Sequence, residues 1–203
     1  MSTARDGGGP PLLAIIAGGA STRMGRDKAA LEIAGATLLE RLIASGRALG
    51  VEVLVVGRAA PPHQQRAGVR FVPDEQPGQG PLGGLVTALA HAPLVAAVAC
   101  DLPGLDDAGL RWLLGLAGLR GEADGVATVT PAGIEPLFSL YAGRCLAAAR
   151  ARLASGQRAL HRFIAAGDFV RVDAPPWLLP RLANVNTPED WQRFASGPSD
   201  PPA

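Results

Sequence analysis

A three-layer α/β/α sandwich on a mostly parallel sheet is the fold this sequence predicts, on three observations. Short runs of strand length alternate with segments of helical period along the chain. The strand runs are apolar enough to be buried, which implies helices covering both faces of one sheet. The first run, Leu12 to Ile16, ends in Ala17-Gly18-Gly19 and opens onto small, hydroxyl and basic residues through Lys28. A buried strand delivers a loop to a ligand in this way at the edge of such a sheet.

Strands are expected over residues 12–17, 51–56, 69–72, 95–100, 125–129, 136–141 and 169–172, the later ones including an antiparallel member. Helices fall between them. Residues 37–49 carry Leu38, Leu39, Leu42 and Ile43 at helical spacing and stop before Gly50. Residues 82–90, 107–116 and 144–154 follow, and 187–194 opens with Thr187-Pro188-Glu189-Asp190, a good cap and first turn. One domain over 12–195 is expected, with Gly/Pro/Ser-rich tails at 1–11 and 196–203.

Composition narrows the function. At 203 residues, 48% hydrophobic and 18% charged, the chain can bury a sizeable core. A net charge of +1 argues against general nucleic-acid or membrane-surface binding, so any positive field must be local. No apolar run approaches the roughly 18 residues of a membrane span, and the N-terminal segment makes a poor signal peptide. Cys100 and Cys145 make neither a disulfide framework nor a zinc spacing, and they read as buried thiols of a cytoplasmic protein.

The chemistry concentrates just after strands. Gly18 and Gly19 let backbone N–H groups approach phosphate oxygens, and Arg23 and Lys28 add positive charge beside them. The loop is neither a Walker A sequence nor a Gly-x-Gly-x-x-Gly fingerprint. Asp101 ends an apolar strand before Leu102-Pro103, where a carboxylate can hold magnesium for phosphate chemistry or simply cap the next helix. Between Val72 and Leu85, Gly80, Gly83 and Gly84 are expected to expose main-chain groups to a base or an anion, though ordinary turns use the same residues. Asn184 and Asn186 would share one side of an extended backbone, holding a polar substrate or serving a turn.

Three smaller groups complete the candidates. His63, His91 and His161 have no mutual metal spacing and read as surface or helix residues. Arg158 and Arg162, one helical turn apart, could meet a substrate phosphate or a solvated face. Trp112, Trp177 and Trp191 read as packing at the core margins.

The segment from Ala17 to Lys28 resembles the signature of nucleotidyltransferases related in fold to sugar-nucleotide pyrophosphorylases. Gly80 to Leu85, Cys100 to Pro103, Glu135 to Tyr141 and Asn184 to Pro188 extend the resemblance to the molybdenum cofactor guanylyltransferases, in the right order over roughly residues 12 to 195. The resemblance implies a Rossmann-like nucleotidyltransferase fold, with GTP and molybdenum-loaded molybdopterin as substrates and Mg2+ as cofactor. Molybdenum insertion or delivery proteins and apo-molybdoenzymes are the implied protein partners. By position, Ala17, Gly18, Gly19 and Lys28 would bind GTP, Asp74 and Gly80 would join the nucleotide site, and Asp101 would hold the metal. Arg23, Lys28 and Asp101 would carry catalysis, and Asn184 and Asn186 would lie on the pterin side.

Two positions depart from the family pattern: Gly57-Arg58 stands where Asn is frequent, and Leu102 where Thr is frequent. A pterin cytidylyltransferase, a nucleotidyltransferase for another small phosphate, and a non-catalytic nucleotide-binding or delivery protein are the rival readings.

Overall fold

The computed structural model describes residues 9–18, 31–60, 68–185 and 187–195. Its core is a single twisted sheet. Strand β1 (Leu12–Ile16) lies at the centre, and a two-stranded ribbon of β2 (Glu32–Ile33) and β3 (Ala36–Thr37) follows it. Then come α1 (Leu38–Ala48), β4 (Val53–Val56), β5 (Val69–Val72), α2 (Gly80–Leu89), β6 (Leu94–Ala99) and α3 (Asp107–Gly115). The second half holds β7 (Gly125–Thr130), β8 (Gly133–Ile134), β9 (Phe138–Ala142), α4 (Cys145–Ala154), α5 (Leu160–Ala166), β10 (Phe169–Asp173) and α6 (Pro188–Ala195). The sheet runs β10-β7-β9-β6-β1-β4-β5, with β8 paired to β7. All pairs along the β6-β1-β4-β5 half are parallel, as is β10 with β7, and β9 is the antiparallel member the sequence led us to expect.

Burial on both faces explains the apolar strands. Leu13 and Ile15 of β1 join a cluster with Leu39 and Leu42 of α1 and Leu110 of α3. Leu12, Ala14 and Ile16 alternate to the opposite face and pack with Leu82 and Leu85 of α2, Ala149 of α4 and Phe163 of α5. Each fully buried Leu or Ile contributes about 1.5–3 kcal/mol, so these faces fix the register on which the sheet edge depends.

Helix starts follow local chemistry. Thr37 caps α1 through a reciprocal box: its Oγ1 accepts the Glu40 N–H at 3.1 Å, and Glu40 Oε2 accepts the Thr37 N–H at 2.9 Å. Thr187 and Asp190 repeat this arrangement at α6, at 3.1 and 2.9 Å. Helix α5 and the short β2, β3 and β8 strands were not anticipated, being too short to show a period. Trp112 stacks on Phe138 with ring centres 6.1 Å apart, whereas Trp177 remains 44% exposed beneath the Arg181 guanidinium.

The two thiols differ. Cys100 is half-buried, and Cys145 is buried with its Sγ donating to the Asp124 carbonyl at 2.9 Å. Burial, and after it the Asp124 charge, pushes the Cys145 thiol up to about 12 from an ordinary 9.0. A group raised in the folded state stabilises fully below its unfolded pKa and loses that contribution as pH rises through the folded value. The expected result is that urea stability of the native protein falls more steeply between pH 9 and 12 than that of Cys145→Ala. Parallel curves for the two proteins would remove this assignment.

Candidate active site

Parallel pairing brings the ends of β1, β4, β5 and β6 to one edge of the sheet. Because β9 runs the other way, Phe138 at its start lies beside Val98 near the end of β6, so Glu135, Pro136 and Leu137 reach the same edge. Two adjoining cavities open there, one lined by Gly80 and the other by Pro81. The start of α2 is the partition between them.

The first cavity, of about 580 Å3, is lined by Gly18, Gly57, Arg58, Asp74, Gly78 and Gly80 among others. Asp74 is fixed by its neighbours: Oδ1 accepts the Gln76 N–H at 3.0 Å and lies 3.2 Å from Thr87 Oγ1. Thr87 is 1% exposed, sits within α2, and also accepts the Glu75 N–H at 3.0 Å. It orients Asp74 from behind. The floor is a close backbone crossing, where Gly57 has φ +86° and a Cβ there would stand 2.5 Å from Gly18 Cα. Ala17, expected to bind nucleotide, is 8% exposed, packs in the core and lines neither cavity; its carbonyl accepts from Arg58 Nε at 3.4 Å.

The second cavity, of about 420 Å3, has an apolar floor of Ala99, Leu137, Phe138, Leu160 and Leu182, with Asp101, Glu135, Arg158, His161 and Asn184 around it. The Val185 N–H donates to the Asp101 carbonyl at 3.1 Å, docking the Asn184 segment against the turn that carries Asp101. Arg181 reinforces that wall through Asp106 at 2.9 Å. Burial alone would raise the Asp106 carboxyl, but the Gly109 N–H and the Arg181 guanidinium outweigh it and hold the carboxyl below its ordinary range. On the opposite wall, Ser139 Oγ and Tyr141 Oη each donate at 2.7 Å, to the carbonyls of Glu135 and Pro136. Thr130 Oγ1 then donates to Glu135 Oε1 at 3.1 Å. Ser139 and Tyr141 of the Glu135-to-Tyr141 motif are therefore internal braces, and both are fully buried.

The predicted residues divide between the cavities. Gly18, Asp74 and Gly80 share the first, and Asp101 and Asn184 share the second. Gly19, Arg23, Asp27, Lys28, His63 and Asn186 lie outside the described residues, as do 1–8 and 196–203. Two expectations are corrected. Gly83 and Gly84 do not expose a loop, because α2 begins at Gly80 and both are buried within it; a Cβ on Gly84 would stand 2.7 Å from Ile16 Cγ2. Arg158 and Arg162 do not share a helix, since Arg158 precedes α5 and lines the second cavity, whereas Arg162 is not among its lining residues. His161 is exposed and lies in α5, as expected of a surface or helix residue, and it also lines the second cavity. Glu135 was not singled out, because its place depends on the antiparallel β9.

The oxygen donors suit magnesium. Among the described residues no three His, Cys, Asp or Glu side chains cluster to cage a metal. Magnesium needs only one or two carboxylates when phosphates and waters complete its shell, and Asp101 and Glu135 both line the second cavity.

A doubly wound sheet with paired cavities on its carboxyl edge has the Rossmann-like architecture of nucleotidyltransferases. Residues 13–172 match the MobA-like NTP transferase domain, and the chain belongs to that family. A probable molybdenum cofactor guanylyltransferase from Opitutus terrae is 38% identical over 192 residues, covering 89% of this chain and 92% of the relative. A protein of the same name from Deinococcus radiodurans is 36% identical over 184 residues, covering 89% and 92%. In fold the chain is similar to molybdopterin-guanine dinucleotide biosynthesis protein A from Archaeoglobus fulgidus, with TM-score 0.77, 22% identity, and 91% and 97% of the two chains covered. No helix among the described residues is long and apolar enough to cross a membrane.

Proposed function

We propose that this chain transfers GMP from GTP to molybdenum-loaded molybdopterin, forming the guanine dinucleotide cofactor and pyrophosphate. One observation carries the reading: two cavities adjoin at the start of α2, one holding Asp74 and Gly18, the other Asp101 and Asn184. A donor nucleotide and an acceptor phosphate bound side by side would meet at that partition. The relatives' names support guanylyl transfer over its cytidylyl counterpart.

The acceptor's terminal phosphate oxygen attacks the α-phosphorus of GTP in line. A new P–O bond forms, the bond between the α-phosphorus and the bridging oxygen breaks, and pyrophosphate leaves with that electron pair. The attacking oxygen is already anionic, so no protein base is required and catalysis rests on positioning and charge neutralisation. Asp101 would hold Mg2+, with Glu135 nearby, and such an ion when bound neutralises phosphate charge. The glycine-loop amides, with Arg23 and Lys28, would stabilise the departing pyrophosphate. Asn184 and Asn186 would hold the pterin side, with Arg158 beside Asn184. One catalytic domain over 12–195 acts in the cytoplasm, where free thiols persist, and hands its product to delivery proteins or apo-molybdoenzymes.

Incubation with Mg2+, molybdenum-loaded pterin and each of four NTPs tests the reading. A guanine dinucleotide from GTP is expected, and a cytidine product alone would overturn it. Lys28→Ala should lower turnover by about a hundred-fold in a folded protein, the scale of one lost charge contact at a leaving group. Near-normal transfer by this variant would remove Lys28 from the machinery.

A further inference from the structure

We infer that Thr87 is a positioning residue for the donor nucleotide, acting from beneath the cavity wall by turning one oxygen of Asp74 toward the ligand; this rests on the reading above, in which the first cavity takes the nucleotide. Thr87 lines neither cavity and is 1% exposed, so it acts on a ligand only through another residue. Its hydroxyl ties the Asp74 loop to α2. Oγ1 accepts the Glu75 N–H at 3.0 Å and lies 3.2 Å from both Asp74 Oδ1 and the Gly83 carbonyl oxygen. A hydroxyl carries one proton, so it serves one of those two acceptors at a time. A carboxylate is the stronger acceptor of the two, and the proton goes there.

The seat beneath the loop comes from spacing along one helix. Gly83 and Thr87 stand four residues apart, on the same face of α2. At Gly83 an added Cβ would stand 3.0 Å from Gln79 Cβ, 3.2 Å from the Gln76 carbonyl oxygen and 3.6 Å from Asp74 Oδ1, so the loop rests directly on that glycine. Thr87 then clasps what Gly83 admits. The two Asp74 oxygens are left unlike. Oδ1 is held by the Gln76 N–H at 3.0 Å and by Thr87. Oδ2 carries no hydrogen bond among the described residues and stands on the Gly18 side, 3.8 Å from where a Cβ on Gly18 would lie. Gly18 and Asp74 line the same cavity. With Oδ1 engaged behind the wall, Oδ2 is the oxygen presented to a donor group of the bound nucleotide. Without the hydroxyl the carboxylate keeps one hydrogen bond, gains side-chain freedom and must be ordered again at each binding event, which costs affinity.

The test is a double-mutant cycle on GTP binding, read by calorimetry with Mg2+ and without acceptor. Thr87→Val keeps the shape and removes the hydroxyl, and it should weaken GTP binding by about five- to ten-fold, the scale of one net hydrogen bond. In an Asp74→Ala background the same substitution should change affinity by less than about two-fold, because the group it positions is gone. Thr87→Ser keeps the hydroxyl and should bind GTP within about two-fold of wild type. With acceptor present, Thr87→Val should raise KM for GTP and leave kcat within about two-fold, since the reacting atoms are untouched. Thr87→Ala repeats each comparison without a branched side chain, and a circular-dichroism melt checks that every variant is folded at the assay temperature. Equal losses from Thr87→Val with and without Asp74 overturn the proposal, since that marks a general disturbance of α2. A loss in Thr87→Ser as large as in Thr87→Val overturns it as well, as does wild-type GTP affinity in Thr87→Val or in Asp74→Ala. A protein that shows the expected cycle but makes no dinucleotide would sink the transferase reading and leave the role of Thr87 supported. Dinucleotide formation with an unchanged KM in Thr87→Val does the reverse.

Discussion

Asp101→Asn is expected to lower guanylyl transfer by about a thousand-fold, equivalent to about 4 kcal/mol of lost transition-state stabilisation, while the protein stays folded. Asn matches the carboxylate in size but removes its charge, so a bound Mg2+ loses its anionic ligand at the end of β6. The wall of the cavity should persist, because the contact that docks the Asn184 segment uses the backbone carbonyl of residue 101 and not its side chain. Initial rates at saturating Mg2+, set beside a circular-dichroism melt, separate chemistry from stability. A variant that transfers GMP within a few-fold of wild type would show that Asp101 is a strand-end residue and nothing more.

Gly57→Ala should cause the largest loss of stability, about 2–5 kcal/mol. A left-handed residue with a Cβ costs roughly 1–2 kcal/mol, and overlap in a packed site adds about 1–3 more. Here the overlap is with backbone, 2.5 Å from Gly18 Cα and 2.7 Å from its nitrogen, which cannot rotate away. For a chain of this size the midpoint should drop by roughly 10 °C, and GTP affinity by roughly ten-fold or more as Gly18 is displaced. Gly50→Ala is the matched control. Its φ is +72° with nothing within 4 Å of the added Cβ, so it should cost only the conformational part, about 1–2 kcal/mol, and leave GTP affinity unchanged. Equal melting losses in the two variants would show that the crossing at Gly18 is slack.

Much of the fold was legible because local pattern and tertiary burial agree. Residues of β1, β4 and β6 are buried on both faces, and an uninterrupted apolar run is the direct record of that. Thr187 announced its helix through capping chemistry that needs only four residues, and the first helix showed in the spacing of Leu38, Leu39, Leu42 and Ile43. What escaped was non-local. Gly83 and Gly84 fall within the helix expected at 82–90, but their burial was not foreseen, because it comes from the close approach of α2 at Gly84 to Ile16. Glu135 gave no signal of its own, since it reaches the edge only when β9 runs against β6 and Ser139 and Tyr141 pin the turn before it. Arg158 parts from Arg162 because α5 starts at Leu160, a boundary no period in seven residues could mark. For the site, Asp74 and Asp101 each reach a cavity because strand ends in a doubly wound sheet have one destination, and Asn184 arrives beside Asp101 through the Val185 N–H bond to the Asp101 carbonyl.

The partition at the start of α2 also divides the chain itself. Every described residue lining the Asp74 cavity lies between 18 and 80, and every one lining the Asp101 cavity between 81 and 184. On the proposed reading, the described residues that would choose the nucleotide and those that would choose the acceptor come from consecutive stretches that do not interleave. A single recombination event near that junction could exchange one preference without touching the other, so descendants of such a chain can try new pairings of base and acceptor one half at a time.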